Sequence, residues 1–243
     1  MRKKFPEQPE EVFEEYVSDW RAAYGEAVEA ILFYGSGARG EYAPGVSDLN
    51  FLIVLTDDAI GRLRPAINLS EKWRKRARVV PLVITRQYIH NSLDSYPVEF
   101  LHMKRHYRVL FGADVLSELA IQPQHLRLQL ERELKGKLLH LRKGFIESGY
   151  DRDELLGLIQ RTIKAFLPLF EALLYLKQET IPAGRKEIFE KVVQAARLDA
   201  GFIDKIFHAV ETDVRPYREE LWQVMEDYLA QIRKLTLAVD AMA

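Results

Sequence analysis

A polar loop between two apolar runs constrains the fold of this chain more than any other feature. The first run, Ile31 to Tyr34, has the composition of a strand, and so does the second, Phe51 to Leu55. The second run is continuously apolar, which is typical of a strand buried on both faces. Loops as long as residues 35–50 are usually functional or disordered in compact domains. The buried strands on both sides favour a functional loop.

The first residues of the loop suit phosphate binding. Gly35 and Gly37 flank Ser36, so the backbone there can adopt a positive φ and approach a ligand closely. Consecutive amides can form an anion-binding concavity, especially if a short helix begins at Ala38. Ser36 adds a hydroxyl, and Arg39 adds a charge that suits bidentate recognition of phosphate. The alternative is a surface loop whose glycines only form turns.

The loop ends at Asp48, where a carboxylate at the start of a strand could hold Mg²⁺ against phosphate oxygens. Gly35 to Glu41 reads Gly-Ser-Gly-Ala-Arg-Gly-Glu, and Asp48-Leu-Asn50 opens the second strand. This arrangement resembles the DNA polymerase β-type nucleotidyltransferase superfamily, with its strand, Gly-Ser turn and Asp-x-Asp. It is most similar to the small bacterial nucleotidyltransferases with a Gly-Ser-x-Ala-Arg-Gly-(Glu/Asp) loop. The resemblance covers roughly residues 28–112.

The resemblance implies an activity and its ligands. In such enzymes the Gly-Ser turn binds the triphosphate of a nucleotide. Two aspartates and a third carboxylate from a later strand bind two Mg²⁺ ions. The nucleoside monophosphate is then transferred to a hydroxyl group. For this chain the resemblance implies a nucleoside triphosphate (NTP) as substrate or ligand, with Gly35, Ser36, Gly37 and Arg39 as binding residues.

The sequence departs from the family pattern where the metals would bind. Asn50 stands in the second carboxylate position, and the predicted third strand, 78–84, carries no acid and contains Pro81. Two neighbouring dications need several anionic ligands, whereas one carboxylate and one amide oxygen suit a single, weakly held Mg²⁺. We therefore predict a single-metal site at Asp48 and Asn50, with Glu99 as a stand-in for the missing third carboxylate.

Beyond residue 121 the strand pattern ends and long helical patterns follow. We predict an α+β protein: a nucleotidyltransferase-fold mixed sheet domain over residues 1–121, followed by an all-α helical bundle over residues 122–243. This two-part layout resembles the aminoglycoside nucleotidyltransferases, in which a glutamate of the helical domain accepts a proton from the acceptor. In this chain the resemblance implies that role for Glu171, which lies in a nearly apolar helix. The alternative is a structural acid satisfied by neighbouring cations such as Lys164, which is also a candidate for nucleotide binding.

The remaining patterns predict the elements around the loop. The segments 9–27, 57–77 and 98–106 have helical periodicity, and 79–85 and 107–112 have strand character. The aromatic stripe of the first helix is interpreted as core. The basic run 71–78 is interpreted as a solvated helix end, with phosphate contact as the alternative. Further helices are predicted at 151–177, 184–198 and 215–241, after a leucine stripe that ends at Phe145.

The amino-acid composition of the chain limits which classes of partner it is expected to bind. With 35 basic and 36 acidic residues, distributed evenly over both halves, the chain offers no basic surface for extended nucleic acid. The absence of cysteine excludes disulfides and thiolate catalysis and fits a cytoplasmic protein. No apolar run approaches the ~20 residues of a membrane helix, and no secretory signal is apparent. A homodimer is left open.

Two functions fit these features. In the first, the protein transfers a nucleoside monophosphate from Mg-NTP to a hydroxyl of a small molecule or protein, with Asp48, Asn50, Glu99 and Glu171 as catalytic candidates. In the second, it is a catalytically impaired nucleotide-binding regulator or partner protein. The missing carboxylates favour the second function, and the intact phosphate loop is common to both.

Overall fold

The computed structural model describes residues 5–211 and 217–242. The chain forms two compact units by its internal contacts. The first unit comprises Met1–Asp94 and Glu99–Ile121, and the second comprises Ser95–Val98 and Gln122–Ala243. Strands occur in the first unit, and the described part of the second is built from helices, so the predicted α+β class is confirmed.

A four-stranded mixed sheet forms the centre of the first unit. Its strand order is β3-β2-β1-β4, in which β1 is antiparallel to both of its neighbours and β2 is parallel to β3. The strands are β1 (Val28–Tyr34), β2 (Leu49–Leu55), β3 (Val79–Ile84) and β4 (Tyr107–Gly112). The four strands predicted from the sequence are therefore confirmed.

Strand β2 is completely buried apart from Asn50, as its continuous apolar run predicts. Strand β3 is an edge strand of the described sheet, and its Pro81 is paired in register with Phe51. An edge strand tolerates proline because the missing N–H group can face away from the neighbouring strand. Pro81 is therefore compatible with the predicted strand.

Two helices pack on this sheet through aromatic side chains. Helix α1 (Phe13–Tyr24) is flanked by 3-10 turns, and helix α2 (Arg64–Ala77) has a proline in its first turn. Tyr16 of α1 lies 4.1 Å from Phe51 and 5.2 Å from Trp73, measured between ring centroids. The aromatic stripe of α1 is therefore core, as predicted. The predicted helix over 57–77 begins later, because residues 57–61 form turns ahead of this proline.

The basic run at the end of α2 contacts α1. Lys72 donates a hydrogen bond from Nζ to Asp19 at 2.6 Å, and Trp73 Nε1 donates to the same carboxylate at 2.8 Å. Arg76 pairs with Glu15. These cations hold the two helices together, so the run is more than a solvated helix end.

Two short helices precede β4. Helix α4 (Pro97–Arg105) matches the predicted helical segment. Helix α3 (Arg86–Asn91) was not predicted, because it has fewer than two turns and therefore little periodicity. Thr85 caps it by accepting a hydrogen bond from the Tyr88 amide at 3.1 Å.

The second unit buries the apolar stripes that its sequence predicts. The fully buried positions on the last helix follow one another at three- and four-residue steps: Leu221, Met225, Tyr228, Ile232, Leu235 and Val239. The helices are α5 (Pro123–Ser148), α6 (Arg152–Leu176), α7 (Arg185–Ala196), α8 (Gly201–Glu211) and α9 (Arg218–Asp240). Helix α8 was not predicted. The predicted start of the last helix, Arg215, lies outside the described residues.

Replacing Asp151 with alanine is expected to destabilise the second unit by about 1 kcal/mol. Asp151 caps α6 by accepting hydrogen bonds from the amides of Asp153 and Glu154 at 2.9 and 3.0 Å. Urea unfolding followed by circular dichroism measures the loss. Asp151→Asn is the control, because asparagine also caps helices well. An equal loss in both variants would contradict the capping role.

No helix in the described part of the chain is long and apolar enough to cross a membrane.

Candidate functional site

The register of the sheet brings together the two ends of the loop formed by residues 35–48. Tyr34, the last residue of β1, is paired with Asn50 of β2. The next residue, Gly35, is buried and has a φ of +82°. A Cβ atom at this position would lie 3.0 Å from Nδ2 of Asn50. Glycine therefore allows both the left-handed backbone and the close approach of Asn50.

The loop opens with a single helical turn. The Arg39 amide donates to the Gly35 carbonyl at 3.1 Å, and the Glu41 amide donates to the Ser36 carbonyl at 3.0 Å. In the described part of the chain, the amides of residues 36–38 have no recorded protein acceptor. They correspond to the first amides of a helix, which are left without intrahelical partners and suit an anion.

Two details of the loop differ from prediction. A helix does not begin at Ala38, and residues 36–40 form successive turns instead. Gly37 does not have a positive φ. Its Cβ would lie 2.5 Å from Cζ of Phe33, so glycine is needed here because the loop packs closely against a core ring. A second positive φ, +87°, occurs at Gly40.

The polar side chains of the loop are partly enclosed. Ser36 is half-buried. The side chain of Arg39 is only 6% exposed, and its Nε lies 3.5 Å from the carboxylate of Glu41. Glu41 thus balances the charge of Arg39, and the ion pair keeps the guanidinium beside the turn.

The second half of the loop is held against the amino-terminal segment. The Tyr42 hydroxyl donates to the Pro6 carbonyl at 3.0 Å. The Ala43 amide donates to Ser47 Oγ at 3.0 Å. A Cβ atom on Gly45 would lie 3.2 Å from the ring of Phe5. These contacts give the loop a defined path to Asp48.

Asp48 is paired with the last arginine of the basic run 71–78, a contact that the sequence did not predict. Nε of Arg78 donates to Oδ1 of Asp48 at 2.9 Å, and the two side chains are 44% and 50% exposed. The pair follows from the parallel register, in which Leu49 is opposite Val79 and the Leu49 amide donates to the Arg78 carbonyl at 3.1 Å. Arg78 ends α2 in the left-handed conformation, with φ 51° and ψ 38°.

The residues around Asp48 do not fit the two-metal site that the family resemblance implies. Asn50 supplies an amide in place of a carboxylate, and β3 contributes no acid. Among the described residues, no group of three or more histidine, aspartate or glutamate side chains could hold a metal ion. A cationic guanidinium already lies against the Asp48 carboxylate. The single Mg²⁺ predicted at Asp48 and Asn50 would have to compete with Arg78.

The remaining candidates lie on helices α4 and α6. Glu99 is exposed on the first turn of α4. Glu171 is completely buried on α6 in the second unit, whereas Lys164 is exposed on the same helix. Seven residues separate the two along α6, a rise of about 10 Å. The catalytic roles of Glu99 and Glu171 and the nucleotide contact of Lys164 stay predictions.

The start of β4 borders the turn. The Gly35 amide donates to the His106 carbonyl at 3.3 Å, and Tyr107 is paired in register with Tyr34. The Tyr107 hydroxyl donates to the Asp114 carboxylate at 2.9 Å. Burial, together with this hydrogen bond and the charge of Asp114, raises the pKa of Tyr107 to about 12. The phenol therefore stays protonated at neutral pH and is a poor general base.

Comparison with known proteins identifies the fold. No protein-family model matches the chain, and no curated protein matches it. A solved structure that is similar is spectinomycin adenyltransferase AAD(9) from Enterococcus faecialis with ATP and spectinomycin. The TM-score is 0.51 at 14% sequence identity, and the match covers 90% of this chain and 99% of that chain.

The chain has a nucleotidyltransferase-like fold. At this level of identity the likeness concerns the fold and leaves the chemistry to the side chains. In the nucleotidyltransferase-like sheet, the turn at Gly35 and the residue Asp48 belong to adjacent strand ends, as the sequence motif predicts. Their roles in ligand binding stay predictions.

Proposed function

We propose that this protein binds a nucleoside triphosphate through the turn formed by residues 35–41. The observation that carries the proposal is the turn itself: three successive amides without a protein acceptor among residues 5–211 and 217–242, at a glycine with a positive φ, next to the enclosed guanidinium of Arg39. The nucleotidyltransferase-like fold supports it, since the structurally similar adenyltransferase contains ATP.

The bound nucleotide could serve two functions, and different observations support each of them. Transfer of a nucleoside monophosphate to a hydroxyl group is supported by the adenyltransferase fold and its small-molecule partner, spectinomycin. In that case Ser36 and Arg39 would bind the phosphates. Asp48 and Asn50 would bind one Mg²⁺. Glu99 or Glu171 would assist by accepting the proton of the acceptor hydroxyl. The acceptor would be a small molecule or a protein.

Binding without transfer is supported by the side chains around Asp48. Asn50 replaces one carboxylate, β3 offers no acid, and Arg78 neutralises the remaining carboxylate. A two-metal displacement needs several anionic ligands, and here one remains. We therefore favour a nucleotide-binding regulator or partner protein with a nucleotidyltransferase-like fold.

Titrating the purified protein with ATP, GTP, CTP and UTP, with and without Mg²⁺, tests the proposal by calorimetry. We expect saturable binding of at least one nucleotide, and no pyrophosphate release in a coupled assay. Pyrophosphate release that disappears in Asp48→Ala would instead establish the transferase. Failure of all four nucleotides to bind would overturn the proposal.

A further inference from the structure

The ion pair between Asp48 and Arg78 places a permanent positive charge beside the carboxylate that is predicted to bind metal. Each residue has the other as its recorded side-chain partner in the described part of the chain. An arginine keeps its charge at all working pH values and has no affinity for a metal ion. The site therefore already contains a cation, supplied by the chain itself.

The sheet places Arg78 at the same end as the phosphate loop. Strand β1 ends where β2 and β3 begin, because β1 is antiparallel to β2 and β2 is parallel to β3. Asp48 precedes β2, and Arg78 precedes β3. Two strand spacings, about 9.5 Å, separate the backbone of β1 from that of β3. The side chain of Arg78 extends from the start of β3 to Asp48 at the start of β2, and so spans part of the distance to β1.

The pair leaves most of the guanidinium available. The recorded contact with Asp48 uses Nε, and arginine has five N–H donors in a planar fork. The terminal nitrogens can therefore donate to a phosphate while Nε remains on Asp48. The side chain is 44% exposed, so an anion can reach it from solvent. Bidentate recognition of phosphate oxygens is a common role of arginine.

The backbone of Arg78 supports a defined position for this side chain. Its left-handed conformation costs roughly 1–2 kcal/mol in a residue other than glycine. The conformation turns the chain directly from α2 into β3, and the hydrogen bond from Leu49 fixes the carbonyl. An exposed ion pair alone contributes little to stability, so the arginine is poorly explained by stability alone.

We propose that Arg78 takes the place of a metal ion in this site. The ligand is then the metal-free polyphosphate of a nucleoside triphosphate, held between the amides of residues 36–38 and the guanidinium of Arg78, while Asp48 orients Arg78. This inference rests on the proposed nucleotide binding and adds to it that binding does not depend on a divalent cation.

The test compares nucleotide affinity in EDTA and in Mg²⁺ for the whole chain, using calorimetry with ATP and with inorganic triphosphate. Wild-type protein is expected to bind in EDTA at least as tightly as in Mg²⁺. Arg78→Gln is expected to weaken binding in EDTA by about tenfold or more, the size of a lost charge-assisted hydrogen bond. Arg74→Gln removes an exposed arginine one turn earlier on α2 and is expected to change little.

Asp48→Asn provides a second variant, which keeps the shape of the side chain and removes its charge. The oxygen of asparagine can still accept a hydrogen bond from Nε of Arg78, so if Asp48 only orients Arg78 this variant keeps most of the wild-type affinity for metal-free nucleotide. If Asp48 holds a metal, the variant loses affinity in Mg²⁺. Circular dichroism of each variant checks that the fold is retained.

The outcomes separate this inference from the proposed function. Binding that requires Mg²⁺ and is indifferent to Arg78→Gln would overturn the role of Arg78 and leave nucleotide binding intact. A loss of affinity in Asp48→Asn that occurs in Mg²⁺ but not in EDTA would also overturn it. Absence of binding by the wild type in both buffers would instead remove the proposed function.

Discussion

Gly112→Ala is expected to destabilise the first unit by about 2–5 kcal/mol, from left-handed strain and overpacking together. Gly112 ends β4 with a φ of +75°, and a Cβ atom there would lie 2.0 Å from the carbonyl oxygen of Glu29. That oxygen belongs to the backbone of strand β1 and already accepts from the Ala113 amide at 3.3 Å. It cannot move aside without disturbing the sheet.

Urea unfolding followed by tryptophan fluorescence measures this loss, since Trp20 and Trp73 are completely buried in the first unit. The midpoint should fall with little change in slope. Gly61→Ala is the matched control, because its φ is ordinary and nothing lies within 4 Å of the added methyl group. Equal midpoints for the two variants would show that β4 does not pair with β1 as described.

Gly35→Ala is expected to weaken nucleotide binding by about tenfold or more, equivalent to about 1.4 kcal/mol. The added methyl group would meet Nδ2 of Asn50 at 3.0 Å in a residue with a φ of +82°. Relief requires the Asn50 side chain or the turn to shift, and the left-handed strain at residue 35 favours a shift of the turn, which displaces the amides of residues 36–38. Calorimetry with the best-bound nucleotide measures the effect.

Gly40→Ala is a control that separates the effect of contact with Asn50 from the effect of left-handed backbone strain. Gly40 lies in the same loop with a φ of +87°, but nothing lies within 4 Å of its Cβ position. Both variants introduce left-handed strain, and Gly35→Ala alone also presses on Asn50. Thermal unfolding of both variants reports the strain that they share. Full nucleotide affinity in Gly35→Ala would rule out the turn as the phosphate site.

The sequence predicted the elements whose signal is local. The apolar runs of β1 and β2, the leucine stripe of α5 and the cap of α6 each arise from residues within one element, so periodicity and capping rules find them. Short helices such as α3 lack enough turns to produce a period. The late start of α2 depends on one proline in its first turn.

The backbone conformation of Gly35 was predicted, the pairing of Asp48 with Arg78 was not, and the ligand-binding roles of the site stay predictions. Gly35 was assigned correctly because a positive φ is a backbone property that glycine signals. Gly37 was also predicted to adopt a positive φ. Glycine is needed there instead because a Cβ atom would meet the ring of Phe33 on the preceding strand. Arg78 lies 30 residues from Asp48 and meets it only through the parallel register of β2 and β3. Its signal was present in the basic run 71–78, for which phosphate contact was the alternative interpretation.

Pro81 has a consequence for self-association of this protein. Its strand, β3, carries exposed Val80 and Leu82 at the edge of the sheet, a surface that would otherwise attract another strand. A chain adding there would find no amide donor at proline, so a continuous intermolecular ladder is interrupted at its midpoint. We therefore expect the residue that departs from an ordinary strand to disfavour growth of the sheet by edge-to-edge pairing.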